Sequence, residues 1–355
     1  MFNQEYWLKL PAARGAAFAC ISALLFGLST PLVQHFGAGE GPWLTAAWLY
    51  AGAAGVALLF RSSQASEAPL RRRHVSRLFL VALFGAVIGP AALAWGLQRT
   101  SAVSASLTLA LEAVFTVLLA TILYREGFGR RVGLAILSLT VGSLFLVFDQ
   151  SGHGTIQVFG LSAVALATLA WAIDNTLSRP LADIDPGSII LVKAGLGSAC
   201  SFLLAYEFDE FPSSLGAIIG LVTVGAMGYG LSLRFYLLGQ RAFGAARTGS
   251  LFAAAPFIGA LSAFILGERS VSVWLVCGGA FILAGVILHL TERHGHPHEH
   301  LALDHEHSHR HDDGHHHHTH TDVAAAAMHS HIHYHPPLTH SHPHAPDLHH
   351  GHTHE

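Results

Sequence analysis

The sequence predicts an all-α integral membrane protein: ten transmembrane helices built as an inverted repeat of five and five, followed by a disordered His-rich cytoplasmic tail. Three observations predict it. Only 12% of the 355 residues are charged, and charge almost vanishes from long stretches of residues 1–290. The basic residues collect in alternate loops. A shift of 142 residues lays one half of the body on the other.

A bilayer demands about 20 apolar residues per helix. The body supplies ten such stretches, at 16–36, 42–60, 75–97, 102–124, 131–148, 158–178, 187–206, 214–238, 244–267 and 271–290. They are continuous apolar runs, not the alternating pattern of a barrel strand, so helices are expected. Residues 1–14 form a mixed cytoplasmic segment with no cleavable signal, 15–148 a first five-helix unit and 149–157 a periplasmic linker. Residues 158–290 form the second unit and 291–355 the tail.

With the N-terminus in the cytoplasm, Lys9, Arg14, Arg61, Arg71, Arg72, Arg73, Arg77, Arg125, Arg130, Arg131, Arg179, Arg241, Arg247, Arg293 and Arg310 fall inside. Among loop residues only Arg99 and Arg269 fall outside, where Glu40, Asp149, Glu207, Asp209 and Glu210 gather. Fifteen against two sets the orientation: both termini, and so the tail, face the cytoplasm from the inner membrane. Cys20, Cys200 and Cys277 stand singly within spans and are expected as small apolar packers without a disulfide.

The repeat is carried by polar as well as apolar residues. At the offset of 142, Gln98-Arg99 falls on Gln240-Arg241, Leu109 on Leu251, Phe115 on Phe257, Leu119 on Leu261 and Glu126 on Glu268. Leu on Leu is common in apolar helices; a Gln-Arg pair and a Glu are harder to match by chance. Five spans per half make the second copy enter the membrane upside down. Inverted repeats of this kind hold a solute between the halves near the midplane in secondary transporters.

Polar groups inside spans mark the expected path. An ionisable residue at a span centre costs about 2.5–3.5 kcal/mol, so it faces a cavity or a partner. Glu112, mid-way along the fourth span, is the only carboxylate in the middle third of any span, and suits proton coupling or a substrate amine. Asp174, Asn175, Lys193 and Arg234 lie near the inner ends of spans six to eight at depths that agree within a turn. They could converge on one vestibule for a carboxylate or phosphate. Equally, Asp174–Lys193 could be a structural pair with Arg234 snorkelling to the headgroups. Pro31, Pro90 and Pro256 fall within spans, where each can kink its helix. Gly85-x-x-x-Gly89 and Gly216-x-x-x-Gly220 permit close helix approach, inside the bundle ahead of a homodimer.

Ala255-Pro256-Phe257, Leu266-Gly267-Glu268-Arg269 and the run from Gly278-Gly279 to Gly285 resemble the closing helices of the EamA branch of the drug/metabolite transporter superfamily. The first copy matches more loosely, with Glu112-Ala113-Val114-Phe115 where Pro is typical, and Tyr124-Arg125-Glu126. Ala170-Trp171-Ala172-Ile173-Asp174-Asn175 looks like the opening helix of a second EamA repeat. The resemblance spans roughly 15–290 and implies transport of small organic metabolites, commonly export. The tail lies outside the family pattern.

That tail holds 24 of the 28 histidines. His294, His296, His298, His300, His305, His307, His309, His311, His315, His316, His317, His318 and His320 form its densest part, among Asp and Glu. Neutral imidazole is a ligand for Zn, Ni, Cu and Co, so divalent metal ions are the expected inorganic partner, and no cofactor is required. A P-loop, an HExxH and a GxSxG are all missing, so neither an ATP-driven pump nor an enzyme is expected, and no nucleic acid. Three functions stay open: an organic-solute transporter with an accessory tail, a Ni, Co or Zn transporter fed by the tail, and a metal buffer or sensor anchored in the membrane.

Overall fold

The computed structural model describes residues 11–60, 70, 72–124, 129–152, 154–178, 181, 185–243, 245–269, 271–291, 297–300, 303–309, 329–335 and 338–341. Ten helical spans long and apolar enough to cross a membrane run Ala13–Phe36, Pro42–Leu59, Val75–Leu97, Ala102–Leu123, Arg130–Gln150, Thr155–Ser178, Gly187–Glu207, Leu215–Gln240, Arg247–Ile265 and Val273–Leu290. Local chemistry sets their starts. Ser101, Ser214 and Ser272 accept from the backbone N–H three residues on, and Asp185 accepts from Gly187 N and Ser188 N ahead of a Pro at the first helical position.

The halves interleave. The second span packs on the seventh and the fifth on the tenth; the first packs on the eighth as the third packs on the sixth. The ninth meets both the first and the fourth, while the fourth meets the sixth. Adding five to each member of a pair returns a pair already present, so the packing has a two-fold pseudo-symmetry. Glycines permit the closest crossings: a Cβ on Gly52 would lie 2.1 Å from Val222 O, and one on Gly225 1.9 Å from Leu49 O. Leu59, Leu203, Tyr206 and Val273 are among many exposed large apolar side chains, as a lipid-facing belt requires.

Two features break the regularity of the helices. Leu83–Ile88 in the third span and Gly225–Leu231 in the eighth are π-helical, and they begin 142 residues apart. The fourth span is interrupted after Thr108 and resumes at Leu111; the ninth is interrupted after Phe252 and resumes at Ala255, ahead of Pro256. Proline's missing N–H and ring bulk favour the second interruption, and Pro90 closely follows the first π segment. Both irregularities occur once per half, at corresponding places.

Four short strands lie among the described residues of the tail, which the composition leads one to expect disordered. Pro297–His300 pairs antiparallel with Leu338–Ser341, and Leu303–His309 with His329–His335. A run with His at every second position has the period of a strand, which the composition had outweighed. His298, His300, His305, His307 and His309 lie on these strands; His294, His296, His311, His315, His316, His317, His318 and His320 lie outside the described residues.

Candidate functional site

Glu112 occupies the first turn of the resumed half of the fourth span, Leu111–Tyr124. A half-helix N-terminus near mid-membrane carries a partial positive charge, which favours a carboxylate there. Glu112 Oε1 accepts from Asn175 Nδ2 at 2.6 Å, so one bond joins the first half to the second. At the matching position of the second half stands Ala254. The acidic group therefore belongs to one half alone.

One residue along the sixth span, Asp174 turns the other way. It is buried, it accepts from Ser178 Oγ at 3.2 Å, and it forms an ion pair with Lys193 of the seventh span. Gly85 of the first π segment lies directly against this pair. The Gly85 carbonyl accepts from Tyr50 Oη at 2.5 Å and from Trp171 Nε1 at 3.1 Å. A π-helix displaces carbonyls from the ordinary ladder, and here two side chains satisfy one of them.

Above Gly85 the aromatic rings converge. Phe26 meets Trp171, Tyr229 and Phe252 at centroid distances of 5.9, 6.0 and 5.4 Å, Tyr50 meets Tyr229 at 5.6 Å, and Tyr236 meets Phe252 at 5.0 Å. These rings come from spans one, two, six, eight and nine. Tyr229 sits on the second π segment and its buried Oη finds no partner of hydrogen-bond geometry, the Ser29 hydroxyl donating instead to Phe26 O at 2.6 Å. The walls thus offer apolar faces and the hydroxyl of Tyr229.

Of the residues expected along the path, Glu112, Asp174, Asn175 and Lys193 gather here. Arg234 does not. Its guanidinium lies over the Phe60 ring at 4.8 Å, with Nη1 3.5 Å from Phe60 O. That places Arg234 at the end of the second span nearest the termini. The expected group of Asp174, Asn175, Lys193 and Arg234 therefore resolves into an Asp174–Lys193 pair, an Asn175 bonded to Glu112 and a separate Arg234. The sequence marks Gly85 only as a close-packing glycine and does not point to the aromatic cluster; a Tyr or Trp inside an apolar span carries a polar handle that needs a partner, and that is the signal it offers.

Towards the end opposite the termini, here called distal, a cavity of about 590 Å³ is lined by Gln34, Arg99, Thr100, Gln150 and Ser272, among others. Its volume falls in the range of small-molecule sites. Among the described residues no three His, Cys, Asp or Glu side chains come together as a metal site.

Comparison with known proteins agrees with this architecture. The description "EamA-like transporter family" matches residues 13–148 and 158–291. An uncharacterized transporter of Methanothermobacter thermautotrophicus is 28% identical over 235 residues, 63% of this chain and 66% of its own length. The uncharacterized transporter YyaM of Bacillus subtilis is 27% identical over 284 residues, 76% of this chain and 90% of its own. A protein crystal structure with 18% identity superposes at a TM-score of 0.57 over 77% of this chain and 94% of that one, a likeness of fold alone. With a match in each half covering most of the body, this multi-pass membrane protein belongs to the EamA-like transporter family.

Proposed function

We propose that the protein is a secondary active transporter that exports a small organic metabolite across the cytoplasmic membrane, with Glu112 taking part in proton coupling. The observation that carries this reading is the Glu112–Asn175 bond, a carboxyl at a broken helix joined to an amide of the opposite half. Exchanging that bond for a proton or a substrate group changes the contact between halves, which is what coupling requires. The Trp171–Tyr229–Phe26 walls suit the apolar part of an organic solute, and Tyr229 Oη a polar group on it. Export is favoured by the family resemblance.

The tail is an accessory in this reading, binding divalent ions in the cytoplasm. Metal as the transported species is the weaker alternative, because the path residues are one Glu, one Asp–Lys pair and aromatic rings, a poor ligand set for Ni, Co or Zn. Gly85, Gly89 and Gly220 pack on Asp174, Trp171 and Phe36 of the same chain, so these three glycines serve packing within the bundle, while Gly216 stays exposed. Metabolite and metal profiling of cells and medium, with and without the gene, tests the proposal. A small organic compound retained in cells lacking the gene is expected; retention of a metal alone, with unchanged metabolites, would replace it with the metal-transport reading.

A further inference from the structure

Four carboxylates at the distal end each bond across the boundary between the halves. Glu40, after the first span, accepts from Ser213 N at 2.9 Å and from the Ser213 hydroxyl, in the loop before the eighth span. Glu210 Oε2, in that same loop, accepts from Leu44 N at 2.7 Å at the start of the second span. Glu268 Oε2, after the ninth span, accepts from Ala102 N at 2.8 Å at the start of the fourth. Asp149, closing the fifth span, accepts from the hydroxyl of Ser272, the residue that caps the tenth.

These are not incidental surface contacts. Leu44 N and Ala102 N are among the helix-start N–H groups that have no partner in their own helix. The opposite half supplies each with a carboxylate, and a helix N-terminus favours the negative charge. The chain is shaped to allow it: Gly41 has no side chain where a Cβ would lie 2.0 Å from the Glu210 carboxyl carbon. Gly267, with φ +120°, turns the backbone just ahead of Glu268. Glu40 is buried at 3% exposure, and its backbone carbonyl takes a further bond from Gln98 Nε2 at 2.7 Å. Separating the halves here would break all four links together and leave the helix starts to water.

We infer that Glu40, Asp149, Glu210 and Glu268 form a clasp that ties the two halves of the transporter together at the distal end, and that its release is a step of the transport cycle. They are positioning residues: none touches the Glu112 site. The inference rests on membership of a transporter family, not on the coupling role of Glu112 or on any solute. A charge-assisted bond is about twice as strong as a neutral one, so replacing each carboxylate by its amide should raise the ratio of open to closed distal ends about three- to tenfold.

The test is a distance measurement between spin labels at Ala38 and Val271, exposed distal positions in opposite halves, with the native cysteines replaced by Ala. Purified protein in nanodiscs without solute is compared as the labelled parent, as Glu268→Gln, as Asp149→Asn and with all four carboxylates neutralised. A longer-distance population that grows with each neutralisation is expected. Folded variants, monodisperse and with cooperative melts, whose distances match the parent would overturn the clasp. So would a lowered melting temperature with unchanged distances, which marks the bonds as plain structural links. Should the fourfold variant fail to fold, the two single substitutions decide by the same criteria.

Discussion

Gly85 sits where the two polar systems of the site meet. Tyr50 and Trp171 donate to its carbonyl, and a Cβ on it would lie 2.2 Å from Asp174 Oδ2 and 2.8 Å from Lys193 Cε. Neither atom can move without disturbing the ion pair. Gly85→Ala is expected to cost about 1–3 kcal/mol as over-packing and to reduce transport strongly, read by thermal melts in detergent and by flux. The pair itself makes a second prediction. Lys193→Ala leaves Asp174 charged and buried, and is expected to destabilise by about 3–5 kcal/mol, whereas Asp174→Asn with Lys193→Met should recover most of that loss. A double-mutant cycle on melting temperature measures it; equal losses in single and double variants would contradict a coupled pair. Depth along the spans was legible in the sequence and placed Asp174, Lys193 and Arg234 at one level. Rotation about each helix was not legible, and rotation sends Arg234 to Phe60 instead.

At the scale of elements, the two π segments and the two interruptions decide where the site lies. Ten spans could be read from apolar length, and the repeat from Gln98-Arg99 on Gln240-Arg241 and Glu126 on Glu268. The irregularities could not, because Leu83–Ile88 and Gly225–Leu231 have no residue in common at the repeat offset; the backbone register repeats and the sequence does not. Pro256 was visible, and it stands beside the interruption of the ninth span. Pro256→Ala gives the helix back an N–H, so a continuous ninth span becomes cheaper. The melting temperature is expected to hold or rise while transport slows several-fold, the pattern of a site that spends stability on shape. A rate equal to wild type would make the interruption a mere detail of packing.

The whole molecule is a pseudo-symmetric pairing of halves with an asymmetric charge at its centre and a tail outside it. The symmetry follows from the repeat; the asymmetry follows from Glu112 standing where the second half has Ala254. A chain cut after residue 293 is expected to fold with an unchanged melting temperature, because the described tail strands pair with each other. The intact chain should bind several Ni or Zn ions at pH 7.5 and lose them at about pH 5.5, since histidine protonates near pH 6.5 and proton and metal compete for the same nitrogen. Calorimetry of intact and shortened chains separates tail from body, and binding indifferent to pH would remove the histidines from the account.

The central claim is that Glu112 carries a proton between the halves. Proteoliposomes loaded with the metabolite that profiling identifies, and given a pH difference, measure it directly with wild type and Glu112→Gln side by side. Wild type should move solute against its gradient, and Glu112→Gln should keep the wild-type melt yet lose gradient-driven flux by at least tenfold, as expected when a group that acts in the rate-limiting step is removed. Full gradient-driven flux through Glu112→Gln would contradict the claim and leave the Glu112–Asn175 bond a structural link between two halves.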